Sequence, residues 1–286
     1  MLTALSTVVA VAQVAPARTG QTGAMAYSFE SYVLALEWQP SWSLNACPNG
    51  TEPNAALIKH MNSPAGSFAR QHLSLHGLWP NYDALKHDGY EWPQYCNVSG
   101  NPSGGVWEFS KCLQNMSDPM CQPDKSAPVS MWQTWAPAYA FGDLAAHEWA
   151  KHGSCTVTDK DIHTSQPYPF QSNYWNQQYW AMDTISKGHG AALVSSSIGQ
   201  TVSLTALQQA FDADAGDHRT TLSCARGCEL DQVWLGFQKS CTMGGGSPTP
   251  EPLSTPKCGV NTHSPSSCTA NGCDSVLIPA WKGCPP

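Results

Sequence analysis

Twelve cysteines in a chain of 286 residues restrict its fold more than any other feature. Eight of them precede a Gly- and Pro-rich stretch, and Cys258, Cys268, Cys273 and Cys284 follow it. Cysteine usage of this kind belongs to an oxidising compartment. The chain is too long to be one of the small domains held together by bridges alone, so its disulfides reinforce a hydrophobic core. Both cysteine counts are even, so each part can close its own bridges. No cysteine repeat has zinc-ribbon spacing.

Three sequons, at Asn49, Asn97 and Asn115, fit the same secretory route as glycosylation sites. The N-terminus supplies a leader. Leu2 to Ala15 is apolar, and Ala15-Pro16-Ala17 offers a small-x-small cleavage site. Residues 1–17 are therefore read as a signal peptide, with cleavage there or as late as residue 26. The leader is too short to span a bilayer, and no later apolar stretch is long enough. A secreted protein, or one of the lysosome or vacuole, is expected, with no membrane span.

The formal charge is -7, and twelve tryptophans contribute to 41% hydrophobic content. That is a globular composition without a broad basic surface for nucleic acid. Ten histidines alter the balance in acid, where full protonation would carry the charge to +3. Affinity for polyanions should rise accordingly.

"YSFESYVLALEWQ" reads as a buried strand, and "SFARQHLSLHGLWP" as a half-exposed strand ended by Gly77 and Pro80. Residues 81–128 are rich in turn-forming residues and read as loops pinned by disulfides. "WQTWAPAYAFGDLAAHEWAKHG" divides into two helices near Pro137 or Gly142, with Asp143 as N-cap and Gly153 as the left-handed stop. "YWNQQYWAMDTISKG" and "SLTALQQAFDADAG" are further helices, and "CELDQVWLGFQKSC" returns to strand. Residues 244–257 form a semi-stiff linker, leading to a Cys-rich module at 258–286.

The segment "DLAAHEWAKHGSC" crowds His147, Glu148, Lys151 and His152 together in a chain with only 12% charged residues. On a helix, with His147 at zero, Lys151 falls at about 40°, Glu148 at about 100° and His152 at about 140°. Zinc helices stack two histidines at i and i+4 in H-E-x-x-H. Here the spacing is one residue longer and the imidazoles diverge, so no metal or other cofactor is expected. Acid–base chemistry and a plain solvated face remain. "LHGLWP" adds His76 beside the flat indole of Trp79, which could equally be a packing corner.

Together the two segments resemble the active-site segments of the ribonuclease T2 family, H-G-L-W-P and H-E-W-x-K-H-G-[TS]-C. The likeness extends from about Tyr27 to Cys241, giving a catalytic domain at 27–243. It implies an α+β fold: an antiparallel sheet carrying His76, with the His147–His152 helix packed beside it, disulfide-stabilised. It also implies an endoribonuclease acting on single-stranded RNA through attack of the 2′-OH, leaving a 2′,3′-cyclic phosphate. DNA should not be cleaved, since it lacks that nucleophile, and no stable DNA binding is expected.

By position, His152 would be the general base, His76 the general acid, His147 a phosphate contact and Lys151 the fixed cation. Glu148 would orient its neighbours, pairing along the helix with His152 or Lys151. Trp79 would stack a base, with Tyr82 in the same pocket. The resemblance pairs Cys96 with Cys155 and Cys224 with Cys241. Asn81 stands where some relatives have an aspartate, and Gly236-Phe237 where many have C-F, so base preference and one disulfide do not transfer. A bell-shaped activity profile on the acidic side of neutral is expected. His72 and the other histidines read as surface residues. The rival reading is a binding protein of this fold, acting through a C-terminal module that contacts carbohydrate or a cell surface.

Overall fold

The computed structural model describes residues 20–25, 27–46, 55–83, 86–96, 129–141, 144–156, 169–215, 220–225, 227–239 and 266–283. The leader, the sequons Asn49, Asn97 and Asn115, Asp143, the linker and Cys47, Cys112, Cys121, Cys241, Cys258 and Cys284 lie outside them.

In chain order the strands are β1 (Gln21–Thr22), β2 (Ser31–Glu37), β3 (Ser74–Asn81), β4 (Pro93–Gln94), β5 (Thr201–Ser203), β6 (Thr221–Ala225), β7 (Glu229–Gln238) and β8 (Ser275–Leu277). The helices are α1 (Gln39–Ala46), α2 (Ala55–Asn62), α3 (Ser67–Gln71), α4 (Val129–Trp135), α5 (Pro137–Phe141), α6 (Leu144–Lys151), α7 (Pro169–Ile185), α8 (His189–Ser196), α9 (Leu204–Ala215) and α10 (Ser267–Ala270). The main sheet runs β3-β2-β7-β8-β5, with β6 also on β7. It is antiparallel except for the β7–β8 contact. The α+β expectation holds.

All seven residues of β2 are buried, because β3 and β7 flank it on both edges and its faces are covered. β3 does not end at Gly77 or Pro80 but runs on to Asn81. It is an edge strand, and there the missing N–H of Pro80 leaves no ladder bond unmade. Opposite it, Ala35 pairs with Gly77 and Leu36 with Leu75, so His76 is the extra residue of a bulge. Strand alternation would otherwise send His76 and Trp79 to opposite faces. The bulge brings them to the same one.

The region expected as two helices is three, with Pro137 opening the middle one, where its missing N–H costs nothing. α6 is seated by aromatic contacts. Trp149 lies 5.7 Å from Tyr174 and 6.4 Å from Trp175, and Tyr139 is 5.6 Å from the same Trp175. Beyond α6 the chain continues as a 3-10 turn, Gly153–Thr156, instead of stopping in a left-handed residue. Glycine is needed at 153 for packing, since a Cβ would strike the Trp149 ring.

The C-terminal segment is tied to the main sheet. β8 pairs with β5, the Trp38 indole donates to the Pro279 carbonyl at 2.9 Å, and Val276 and Ile278 are fully buried. Cys224 bonds Cys268 and Cys228 bonds Cys273, so the expected Cys224–Cys241 bridge is not formed. Even counts on each side of a linker do not prevent bridges across it. Ser267 Oγ accepts from the Cys224 N–H at 2.8 Å, which brings the two backbones together at that bond. The Cys96–Cys155 bridge is present as expected.

Candidate active site

β3 and α6 meet at one carboxylate. Glu148 is 1% exposed, and its Oε2 accepts from the Trp79 Nε1–H at 2.7 Å while Oε1 lies 3.5 Å from His76 Nε2. It therefore pairs across to the strand rather than along the helix with Lys151 or His152. The close approach requires Gly77, where a Cβ would fall on the carboxylate. The plain solvated face is also excluded: His152 is 4% exposed and its ring stacks on Trp79, with centroids 5.2 Å apart. His76 meets the same indole edge-on at 5.5 Å. One tryptophan thus links both imidazoles.

Their electrostatics differ in sign. Burial works against charge on His76, but Glu148 and Glu37 outweigh it and raise its pKa to about 10. Glu37 Oε2 lies 3.8 Å from His76 Nδ1. His152 is governed by burial, which Glu148 offsets only in part while Lys151, His147 and His76 push the same way as burial, and its pKa falls to about 3. Its Nδ1 is buried without a hydrogen-bond partner among the described residues, so nothing there supports a charge. Burial also opposes ionisation of Glu148, yet His152, His76 and Trp79 together keep it below the ordinary carboxylate range. At neutral pH the site holds one charged imidazole and one neutral one.

A cleft of about 220 Å³ opens beside His152 and Trp79, lined also by Val33, Asn81, Trp92, Lys151 and Trp234. Lys151 brings the cation and three tryptophans bring flat apolar walls. The end of α6 is held in register by Cys96–Cys155, by the Tyr95 N–H donating to the Lys151 carbonyl at 2.9 Å, and by the Cys96 N–H donating to Ser154 Oγ at 3.2 Å.

Of the residues singled out in sequence, His76, Trp79, Glu148, Lys151 and His152 converge here. His147 sits exposed on α6. Tyr82 does not line the cleft. It is 2% exposed, stacked on His87 at 3.7 Å, and its hydroxyl donates to Gln21 Oε1 at 3.0 Å. His72 packs on Phe68 and lies 3.0 Å from Ser195 Oγ. His60, expected at the surface, is buried against Phe141. Glu37, Gln232, Trp92 and Trp234 were not anticipated. The signal for Glu37 was an acid closing an otherwise apolar run, and for Trp234 its strand alternation with Val233 and Leu235.

The model of the ribonuclease T2 family matches residues 29–244, most of the chain. The chain belongs to the ribonuclease T2 family. Among relatives, the intracellular ribonuclease LX of Solanum lycopersicum is 27% identical over 130 residues, covering 40% of this chain and 46% of that protein. Ribonuclease 3 of Arabidopsis thaliana is 27% identical over 145 residues, 48% of this chain and 49% of that one. The chain thus spans about half the length of the curated relatives it matches. Among solved structures, the T2 ribonuclease Actibind aligns with a TM-score of 0.54 at 19% identity, covering 90% of each chain. RNase NT, solved with 5′-AMP, gives 0.50 at 18% identity over 89% of this chain and 100% of that one. These two likenesses establish the T2 fold.

Proposed function

We propose that this T2-family protein is an endoribonuclease that cleaves single-stranded RNA by transphosphorylation, with side chains alone supplying the chemistry. His152, neutral, takes the 2′-OH proton as the oxygen attacks phosphorus. The P–O5′ bond breaks, and His76, charged, gives its proton to the departing oxygen, leaving a 2′,3′-cyclic phosphate. Lys151 offsets charge on the phosphoryl oxygens, His147 on the same helix hydrogen-bonds the phosphate, and Glu148 fixes His76 and Trp79. A base stacked in the tryptophan-walled cleft would gain ~1–3 kcal/mol. The observation that carries this reading is the pair of imidazoles on one indole, His76 beside two buried carboxylates and His152 with a buried Nδ1 that has no hydrogen-bond partner among the described residues.

That electrostatic arrangement widens the pH window expected from sequence. Base and acid forms coexist from about 3 to about 10 in the free site, instead of on the acidic side alone. Secretion or vacuolar delivery, with sugars at Asn49, Asn97 and Asn115, fits the disulfides; no described helix is long and apolar enough to cross a membrane.

The test is RNA cleavage in excess chelator with analysis of the ends. Persistence with cyclic-phosphate termini is expected, with DNA untouched, and His152→Ala should lose at least about a hundredfold in rate. Loss of wild-type cleavage in chelator, or near wild-type rates in a folded His152→Ala protein, would overturn the reading.

A further inference from the structure

Glu37 is a carboxylate at 4% exposure on the last residue of a fully buried strand. Such a charge persists in the interior only with partners. Gln39 Nε2 donates to its Oε2 at 2.9 Å, and that same oxygen lies 3.8 Å from His76 Nδ1. Among the described residues no lysine or arginine pairs with it. From β7, Gln232 approaches the same nitrogen with its amide Nε2 at 3.4 Å. That orientation is set, because Gln232 Oε1 accepts from the Trp234 Nε1–H at 2.7 Å. An amide N–H facing Nδ1 favours the bare nitrogen, whereas the Glu37 carboxylate favours the protonated one. The other titratable groups that act on the ring are Glu148 and His152 on α6, and Asp231, the extra residue where β7 slips against β6. Tyr139 on α5 donates its hydroxyl to the His76 carbonyl at 2.8 Å.

We infer that Glu37 is a positioning residue for His76: its buried carboxylate holds the Nδ1–H side of the imidazolium. Nε2, turned towards Glu148 and Trp79, is then the nitrogen that gives and recovers the proton. This deepens the proposed function, since it assigns which nitrogen acts. After transfer from Nε2 to the leaving oxygen, the neutral ring keeps Nδ1–H facing Glu37. Hydrolysis of the cyclic phosphate would return a water proton to Nε2.

The experiment is NMR titration of the His76 imidazole in the full-length protein without RNA, assigned through its loss in His76→Asn, alongside the pH profile of kcat/KM. Glu37→Gln should lower the His76 pKa by roughly one to three pH units. The alkaline limb of the profile should fall by the same amount while the acidic limb stays. Glu37→Asp, which keeps the charge, should restore most of the shift, and Glu37→Ala, which also removes the charge, serves should Glu37→Gln fail to fold. An unmoved imidazole in whichever charge-removing variant folds would overturn the inference. A shifted imidazole in a protein that never cleaves RNA would support it and sink the proposed function instead.

Discussion

A Cβ on Gly77 would overlap the Glu148 carboxylate and come within 2.7 Å of Trp79 Nε1, so one missing methyl group makes room for the contact that joins strand to helix. Gly77→Ala must either push Glu148 off His76 or spread β3 from α6. Overpacking of this kind costs about 1–3 kcal/mol. The expected outcome is a loss of that size in urea unfolding together with reduced kcat/KM on RNA, and a variant unchanged in both would show that the carboxylate moves freely. At this scale much was legible. His76, Trp79, Glu148, Lys151 and His152 lie in two short segments whose residue types already suggest acid–base work. Glu37 and Gln232 were not legible, because they reach His76 only through β2 and β7, far from it in sequence.

The angular reading of α6 put four ionisable groups on one arc. Packing then divided that arc. Glu148 and His152 lie at the end of that arc nearer to Trp149, which inserts among Tyr174 and Trp175, so they are drawn into the interior while His147 stays exposed. A helical wheel gives angles but not where the neighbouring layer begins. The bulge at His76 was equally hidden, since it arises from the register between β2 and β3. The end of α6 depends on Cys96–Cys155, a bridge between residues 59 apart in sequence. Replacing both cysteines by serine should cost ~2–4 kcal/mol of stability. Hydrogen exchange should report faster opening at Lys151 to Thr156 than elsewhere in α6. Uniform exchange along the helix would mean that the aromatic seat alone holds it.

For the whole molecule, the C-terminal segment alters the expected organisation. Val276 and Ile278 are fully buried, β8 lengthens the sheet through β5, and two bridges tie α10 and its flank to Cys224 and Cys228. Deleting residues 244–286 therefore strips core and leaves Cys224 and Cys228 without their partners. The truncated chain should be destabilised by several kcal/mol, roughly 2–5 for each lost bridge. Calorimetry would show this as a large fall in Tm, and a truncated protein melting like the full chain would restore the picture of a separable module. By itself the sequence determined the cysteine-rich composition and the two short segments whose resemblance implied the family and its α+β class, because such motifs are local. The tertiary structure decided the partners across elements: Glu148 with His76, Glu37 behind it, Trp92 and Trp234 in the cleft, and the bridges over the linker. Those depend on register, burial and distance between residues remote along the chain, which no local pattern encodes.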